Sequence, residues 1–339
     1  MKTRGYLTFA VLLGLVWAPT AAFSEDSTDK NVQETTEERD WDWGGTVLLS
    51  TSVGKGSFIA DEYNARPRMS MGLSVRPKFV ISKKHKLRLQ ARVDVNQTLL
   101  DNADSTASTD NQFLLYDTRL AVYWTKFAEV ESANLSWSTW GELFFPTSKL
   151  SQLQTKYLGV RTGLSTKYKP LKWLTLGHTF HVTKNFNKYN NYVLDQSNFS
   201  TPLPARAGGA EAVETGLIAI GTSPSEWSLV NGVSAQFTFL KDFNAAIGWT
   251  MMNAFSYFDY PKDDLSSPNA IGGRGRSDVM YGNIEFGYKV TKNISLALGT
   301  TVSQSPKTSD NESFRFPFWD TTNGASNRQS FYLDVAGSF

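Results

Sequence analysis

Cysteine is absent from this 339-residue chain and histidine occurs three times. After residue 22 no apolar run approaches the roughly 18 residues of a membrane-spanning helix. Each absence excludes something. Without cysteine there is no disulfide framework, no metal–thiolate centre and no lipid-modified cysteine. His85 falls in the turn "KKHK", while His178 and His181, in "GHTFHVT", are an odd number of residues apart. On a strand that spacing puts them on opposite faces, so they share neither a site nor a metal. A mean hydropathy of −0.32 excludes a helical membrane protein. There is no glycine-rich phosphate cradle and no calcium loop; "IGGRGR" (271–276) is a flexible loop feeding a strand. No cofactor, metal or nucleic-acid partner is expected, and no enzymatic activity.

The start of the chain predicts a compartment. Lys2 and Arg4 precede the apolar "YLTFAVLLGLVW", and "APTAAFS" supplies small residues for cleavage after Ala22 or Ser24. Residues 1–22 read as a secretory signal peptide. Residues 23–40 read as a disordered acidic tail: Glu25, Asp26, Asp29, Glu34, Glu37, Glu38 and Asp40 exceed Lys30 and Arg39 by five charges. The whole chain is +2, and Lys2 and Arg4 carry those two charges, so the body from 41 to 339 is about +5.

That body alternates with period two. In "RPRMSMGLSVRPKFV" Met69, Met71, Leu73, Val75 and Phe79 share one face, and Arg68, Ser70, Ser74, Arg76 and Lys78 the other. "KLRLQARVDVN" opposes Leu87, Leu89, Val93 and Val95 to Arg88, Arg92 and Asp94. "LLYDTRLAVYW" and "NISLALGTTV" alternate in the same way. Helical periodicity of comparable strength is missing. A soluble sandwich also alternates, but these segments run to roughly 11–16 residues, beyond the usual strand length, and suit a tilted bilayer crossing. Aromatics cluster near segment ends: Trp41, Trp43, Phe79, Trp124, Phe145, Trp173, Phe239 and Phe243. Short basic turns ("ISKKHK", "KYKPLKW", "FLKDFN", "VTKNIS") alternate with longer polar loops. Together these predict an all-β fold, a transmembrane antiparallel up-and-down β-barrel of about twelve strands, with both termini on the short-turn, periplasmic side. The predicted strands are 42–53, 67–80, 85–98, 112–125, 133–145, 155–168, 172–185, 227–240, 243–257, 276–290, 293–304 and 328–339. "VETGLIAI" (213–220) is read as part of a long outer loop across 187–226 that could fold over or into the pore, with fourteen strands as the fallback.

The last segment, "SFYLDVAGSF", alternates Phe331, Leu333, Val335 and Gly337 up to Phe339. This resembles the signal that bacterial outer-membrane β-barrels present to their assembly machinery. The resemblance implies the outer membrane as location, lipid and lipopolysaccharide as surroundings, and the assembly machinery as a partner engaged through Phe331, Leu333, Val335 and Phe339.

With the polar face inward, the lumen receives Arg68, Arg76, Lys78, Arg88, Arg92, Arg119, Arg161, Lys167 and Lys289 against Asp94, Asp117, Glu142, Glu285 and Asp334. Arg68, Arg76, Arg88, Arg92, Arg119 and Arg161 are the candidate binding residues, because a guanidinium is always charged and its planar fork suits carboxylate, sulfate or phosphate. Twelve strands around an arginine-lined interior look like the monomeric porins that pass acidic oligosaccharides. The alternative reading is a structural ladder, with pairs such as Arg92–Asp117 or Asp94–Arg119 bracing the wall. A second candidate surface is the loop "ESFRFPFWDTTNGASN" (312–327), where Phe314, Phe316, Phe318 and Trp319 form a recognition surface, a plug or an interfacial girdle.

Three functions are open at this point. The first is a narrow passive channel with mild anion preference for small acidic solutes. The second is a non-conducting barrel serving as anchoring subunit or receptor of an envelope complex, with the acidic tail meeting a periplasmic partner. The third is a hydrolase: "LDQSNFS" (194–200) resembles the Ser–Asn half of the outer-membrane phospholipase motif, but Asp195 stands two residues before Ser197, where that motif has its histidine. The departure removes the general base.

Overall fold

The computed structural model describes residues 41–54, 57, 68–101, 113–190, 192–195, 217–220, 223–258, 274–308, 312–318 and 328–339. The predicted signal peptide and acidic tail, Ser197 and Trp319 lie outside the described residues.

The strands are β1 (Asp42–Gly54), β2 (Arg68–Ser82), β3 (Leu87–Asp101), β4 (Phe113–Leu115), β5 (Thr118–Val130), β6 (Leu135–Phe145), β7 (Lys156–Leu171), β8 (Leu174–Asn187), β9 (Tyr192–Asp195), β10 (Leu217–Ile220), β11 (Ser225–Leu240), β12 (Phe243–Phe258), β13 (Arg274–Lys289), β14 (Ile294–Gln304) and β15 (Arg328–Ser338). Both β4 and β5 pair with β3, so they form one crossing interrupted at Tyr116 and Asp117. Leaving out β9 and β10, the crossings number twelve, and each pairs antiparallel with its neighbours. β1 pairs with β15 from Thr46↔Ser338 to Gly54↔Ser330, which closes the ring. A closed ring leaves no unpaired edge in lipid. The segment 213–220 contributes β10, which pairs with β9 in a separate two-stranded sheet and adds no crossing. Fourteen strands are therefore ruled out.

Period two dictates the two faces. Ser74, Arg76, Asp94, Glu142, Thr183, Glu285 and Asp334 are buried inside the ring, while Leu49, Leu73, Val75, Val93, Leu143, Leu164, Leu298 and Leu333 stand exposed outside. A water-soluble core is inverted here: apolar side chains are out and polar ones in. Two- to four-residue turns join the strands at one rim: Lys83–Lys86, Glu131–Asn134, Lys172–Trp173, Lys241–Asp242 and Val290–Asn293. Aromatic pairs ring that rim, with Trp41–Phe79 at 6.1 Å, Trp173–Phe237 at 6.1 Å and Phe243–Tyr288 at 4.5 Å between centroids.

Phe339 joins the same belt. Its N–H donates to the Gly45 carbonyl (3.1 Å), and the Gly45 N–H donates to the Phe339 carbonyl (2.9 Å). A Cβ on Gly45 would sit 2.5 Å from the Phe339 ring, so only glycine leaves room for the aromatic to lie across the seam.

Candidate functional site

The lumen charges gather on one side, because β2 to β8 carry them at matching heights. Register sets Ser74 opposite Asp94, Arg92 opposite Arg119, Arg119 opposite Phe144 and Glu142 opposite Arg161. Two arginines directly opposite each other repel, and the neighbouring carboxylates answer that. Asp94 accepts from Arg92 Nε at 2.6 Å and lies 3.8 Å from Arg119. Glu142 lies 4.0 Å from Arg119 and accepts from Arg161 at 3.2 Å. The result is an alternating chain, Arg92–Asp94–Arg119–Glu142–Arg161. Arg76 extends it on β2, its Nε donating to Ser74 Oγ at 2.9 Å. Arg161 Nε donates to Thr183 Oγ1 at 3.0 Å.

Aromatic rings fill the gaps between the charges. The Phe144 ring lies 5.0 Å from the Arg119 guanidinium and 4.5 Å from that of Arg161. Tyr123 lies 4.9 Å from the Arg88 guanidinium. Such contacts favour the cation without cancelling its charge. Three arginines (Arg92, Arg119 and Arg161) thus share two carboxylates, and Arg76 stands beside them on Ser74, so the ladder holds four guanidiniums for two carboxylates, a surplus of two positive charges.

Of the six candidate arginines, Arg76, Arg92, Arg119 and Arg161 form this ladder and Arg88 flanks it over Tyr123. Arg68 does not join. It opens β2 at the loop end, where its N–H donates to Ser57 Oγ at 2.9 Å. The anticipated pair Asp94–Arg119 is present, whereas Arg92–Asp117 is not. Asp117 sits in the break between β4 and β5 and accepts from Ser148 N (3.1 Å), Ser151 Oγ (2.6 Å) and Lys156 Nζ (2.9 Å). It ties the short helix α1 (Lys149–Leu153) to the rim instead of lining the path.

The opposite wall differs. Across β11 and β12 the lumen face is uncharged, with Val230, Gly232, Ser234, Gly248, Thr250 and Met252 at its centre. On β13 and β15, Glu285 accepts from the Tyr332 hydroxyl at 2.7 Å, and Asp334 keeps one carboxylate oxygen without a partner among the described residues.

Large lumen rings lie flat on the wall. A Cβ on Gly163 would sit 2.3 Å from the Trp140 indole, and one on Gly299 would sit 2.4 Å from the Tyr332 ring. Trp140 also approaches His181 at 6.3 Å and Tyr123 at 6.5 Å. His181 is inside and His178 outside, 2.8 Å from Asn231 Oδ1. Phe314, Phe316 and Phe318 lie in the segment after β14, which packs on the outer surface of the wall.

No protein-family signature and no curated protein matches the sequence. Solved structures do. An outer-membrane channel from Pseudomonas putida F1 matches with a TM-score of 0.52 at 10% identity, covering 90% of this chain and 100% of that one. The KdgM porin in complex with disordered oligogalacturonate matches at 0.42 and 10% identity, covering 87% of this chain and 99% of that one. The NanC porin matches at 0.44 and 8% identity, covering 86% and 98%. The Pseudomonas likeness, over nearly the whole of both chains, agrees with the closed ring described above: this chain has the fold of a bacterial outer-membrane β-barrel.

Proposed function

We propose that the chain is a narrow passive channel of the bacterial outer membrane, with mild preference for small acidic solutes. The observation that carries this reading is the ladder surplus, four arginines against two carboxylates on the wall from β2 to β7, with Glu285 and Asp334 on the strands β13 and β15. In a water-filled tube with a low-dielectric wall, a fixed positive surplus concentrates anions and lowers their crossing barrier. The guanidinium fork adds geometric preference for carboxylate or phosphate over halide. Phe144 holds Arg119 and Arg161 in place without neutralising them, which a third carboxylate would do. The fold shared with an outer-membrane channel is a suitable scaffold for such a path. In this reading the short-turn rim is the periplasmic one, both termini are periplasmic, and a partner of the acidic stretch 23–40 would be a periplasmic protein of the envelope. Phe331, Leu333, Val335 and Phe339 lie on the lipid side, where the assembly machinery would meet them.

A second reading is a non-conducting barrel that anchors or serves as receptor in an envelope complex. It is favoured by the close packing of the ladder, in which Arg76, Asp94 and Glu142 are each no more than 8% exposed. Single-channel recording of refolded protein in a planar bilayer under a KCl gradient separates the two. The expected outcome is stable steps with a reversal potential favouring chloride, weakened in the double variant Arg88→Ala/Arg92→Ala. A folded but silent barrel would refute the channel and leave the ladder as a brace.

A further inference from the structure

β14 and β15 are, with β6, the shortest full crossings, 11 residues each. Even-numbered residues of β14 face outward, and Leu296 and Leu298 are exposed there as a lipid-facing wall requires. Higher on the same face the pattern reverses. Val302 is 2% and Gln304 3% exposed, and the flanking Met280 and Gln329 are buried too. Something covers the outside of the wall at its loop end.

The cover is formed by residues 306–308 and 312–318. Arg315 N–H donates to the Pro306 carbonyl (2.9 Å) and Thr308 N–H to the Ser313 carbonyl (3.0 Å), which folds the segment back on itself. Gln304 Nε2 donates to the Phe316 carbonyl at 2.5 Å, and a Cβ on Gly282 would run into Pro317 and Phe318. This flap is two-sided. Phe314 and Phe316 project away from the wall, 77% and 61% exposed, while Arg315 between them points inward and is 8% exposed. Arg315 Nε and Nη1, both amide atoms of Gln329 and Gln304 Oε1 are buried without a hydrogen-bond partner among the described residues. Three of these atoms are donors, Arg315 Nε and Nη1 and Gln329 Nε2, and unpartnered buried donors are costly and rarely left so.

From these observations we infer that the flap is a lipid-binding site, taking a phosphorylated lipid of the outer leaflet. The acyl chains lie against Phe314 and Phe316, and the phosphate enters between flap and wall to meet Arg315 and Gln329. The flap sits where an eleven-residue strand ends, the height at which acyl chains give way to headgroups. A phosphate offers the several acceptor oxygens that a guanidinium fork and an amide require. The inference stands apart from the channel reading, because the site is on the outer surface of β13 to β15 and the ladder on the inner surface of β2 to β7.

Because the chain has no cysteine, a nitroxide on Phe316→Cys reports one position without background. In bilayers it should collide with oxygen far more than with a water-soluble nickel complex. Native mass spectrometry should retain purified lipid A on the wild type. Retention should be at least tenfold weaker on Arg315→Gln and for dephosphorylated lipid A, with conductance unchanged. Arg315→Lys, which keeps charge but not the fork, should recover part of it. Equal retention by Arg315→Gln, equal retention of the dephosphorylated lipid, displacement by inorganic phosphate alone, or a nitroxide in water would each overturn the proposal.

Discussion

Two walls of one tube handle charge in opposite ways. On the wall from β2 to β7, each carboxylate bridges two arginines, and the arginines still outnumber them. On the wall from β13 to β15 there is no such network among the described residues: Glu285 meets a tyrosine hydroxyl and Asp334 keeps an unpartnered oxygen. The same alternation built both, so the fold does not decide which wall becomes cationic. The difference lies in which residue types fall on inward positions that register brings side by side. Acids that bridge arginines brace the wall; acids that meet hydroxyls, as Glu285 meets Tyr332, leave no such brace.

Reversing the first wall should give the largest effect. In the double variant Arg92→Glu/Arg119→Glu, the ladder goes from four bases and two acids to two bases and four acids. Its surplus of two positive charges becomes two negative ones. The reversal potential under a KCl gradient is then expected to change sign. Removing one bridge should act less on selectivity and more on stability. Glu142→Gln leaves Arg119 and Arg161 without their shared carboxylate, a loss of about 1–3 kcal/mol. Urea titration of the refolded barrel in lipid should show that loss alongside a modest gain in chloride preference. The smallest effect belongs to the second wall. Asp334→Asn should leave folding intact and move the reversal potential only slightly toward chloride. A shift as large as that of Glu142→Gln would mean that the two walls act as one electrostatic unit.

Much of this was legible in the sequence. Alternation in β2, β3 and β14 places the crossings to within two or three residues, because a register slip would send every leucine into the lumen. The bridge between Asp94 and Arg119 follows from polar faces on consecutive strands. The position of Asp117 does not. "LLYDTRLAVYW" alternates straight through Tyr116 and Asp117, and only the hydrogen bonds to Ser148, Ser151 and Lys156 show that the strand breaks there. Phe144 and Trp140 share the inward face of β6 with Glu142, so no polar–apolar contrast marks them as partners of the arginines. Stagger between strands sets which arginine faces which carboxylate, and a single sequence does not record stagger. The direction of the aromatic loop was equally hidden. A signal was available in Gln304 and Gln329, polar residues at outward positions near the loop rim, which need cover before they can meet lipid.

Trp140 and Tyr332 lie flat because the residues beneath them, Gly163 and Gly299, carry only hydrogen. A methyl group in either place would lift the ring off the wall and stand it in the path of whatever passes. Electrical resistance climbs steeply as a conduit narrows, so two glycines act as throttle stops, holding the shutters open. Flow rate and charge preference are thereby assigned to different residues, and a descendant of this tube could retune one by a single carbon while leaving the other untouched.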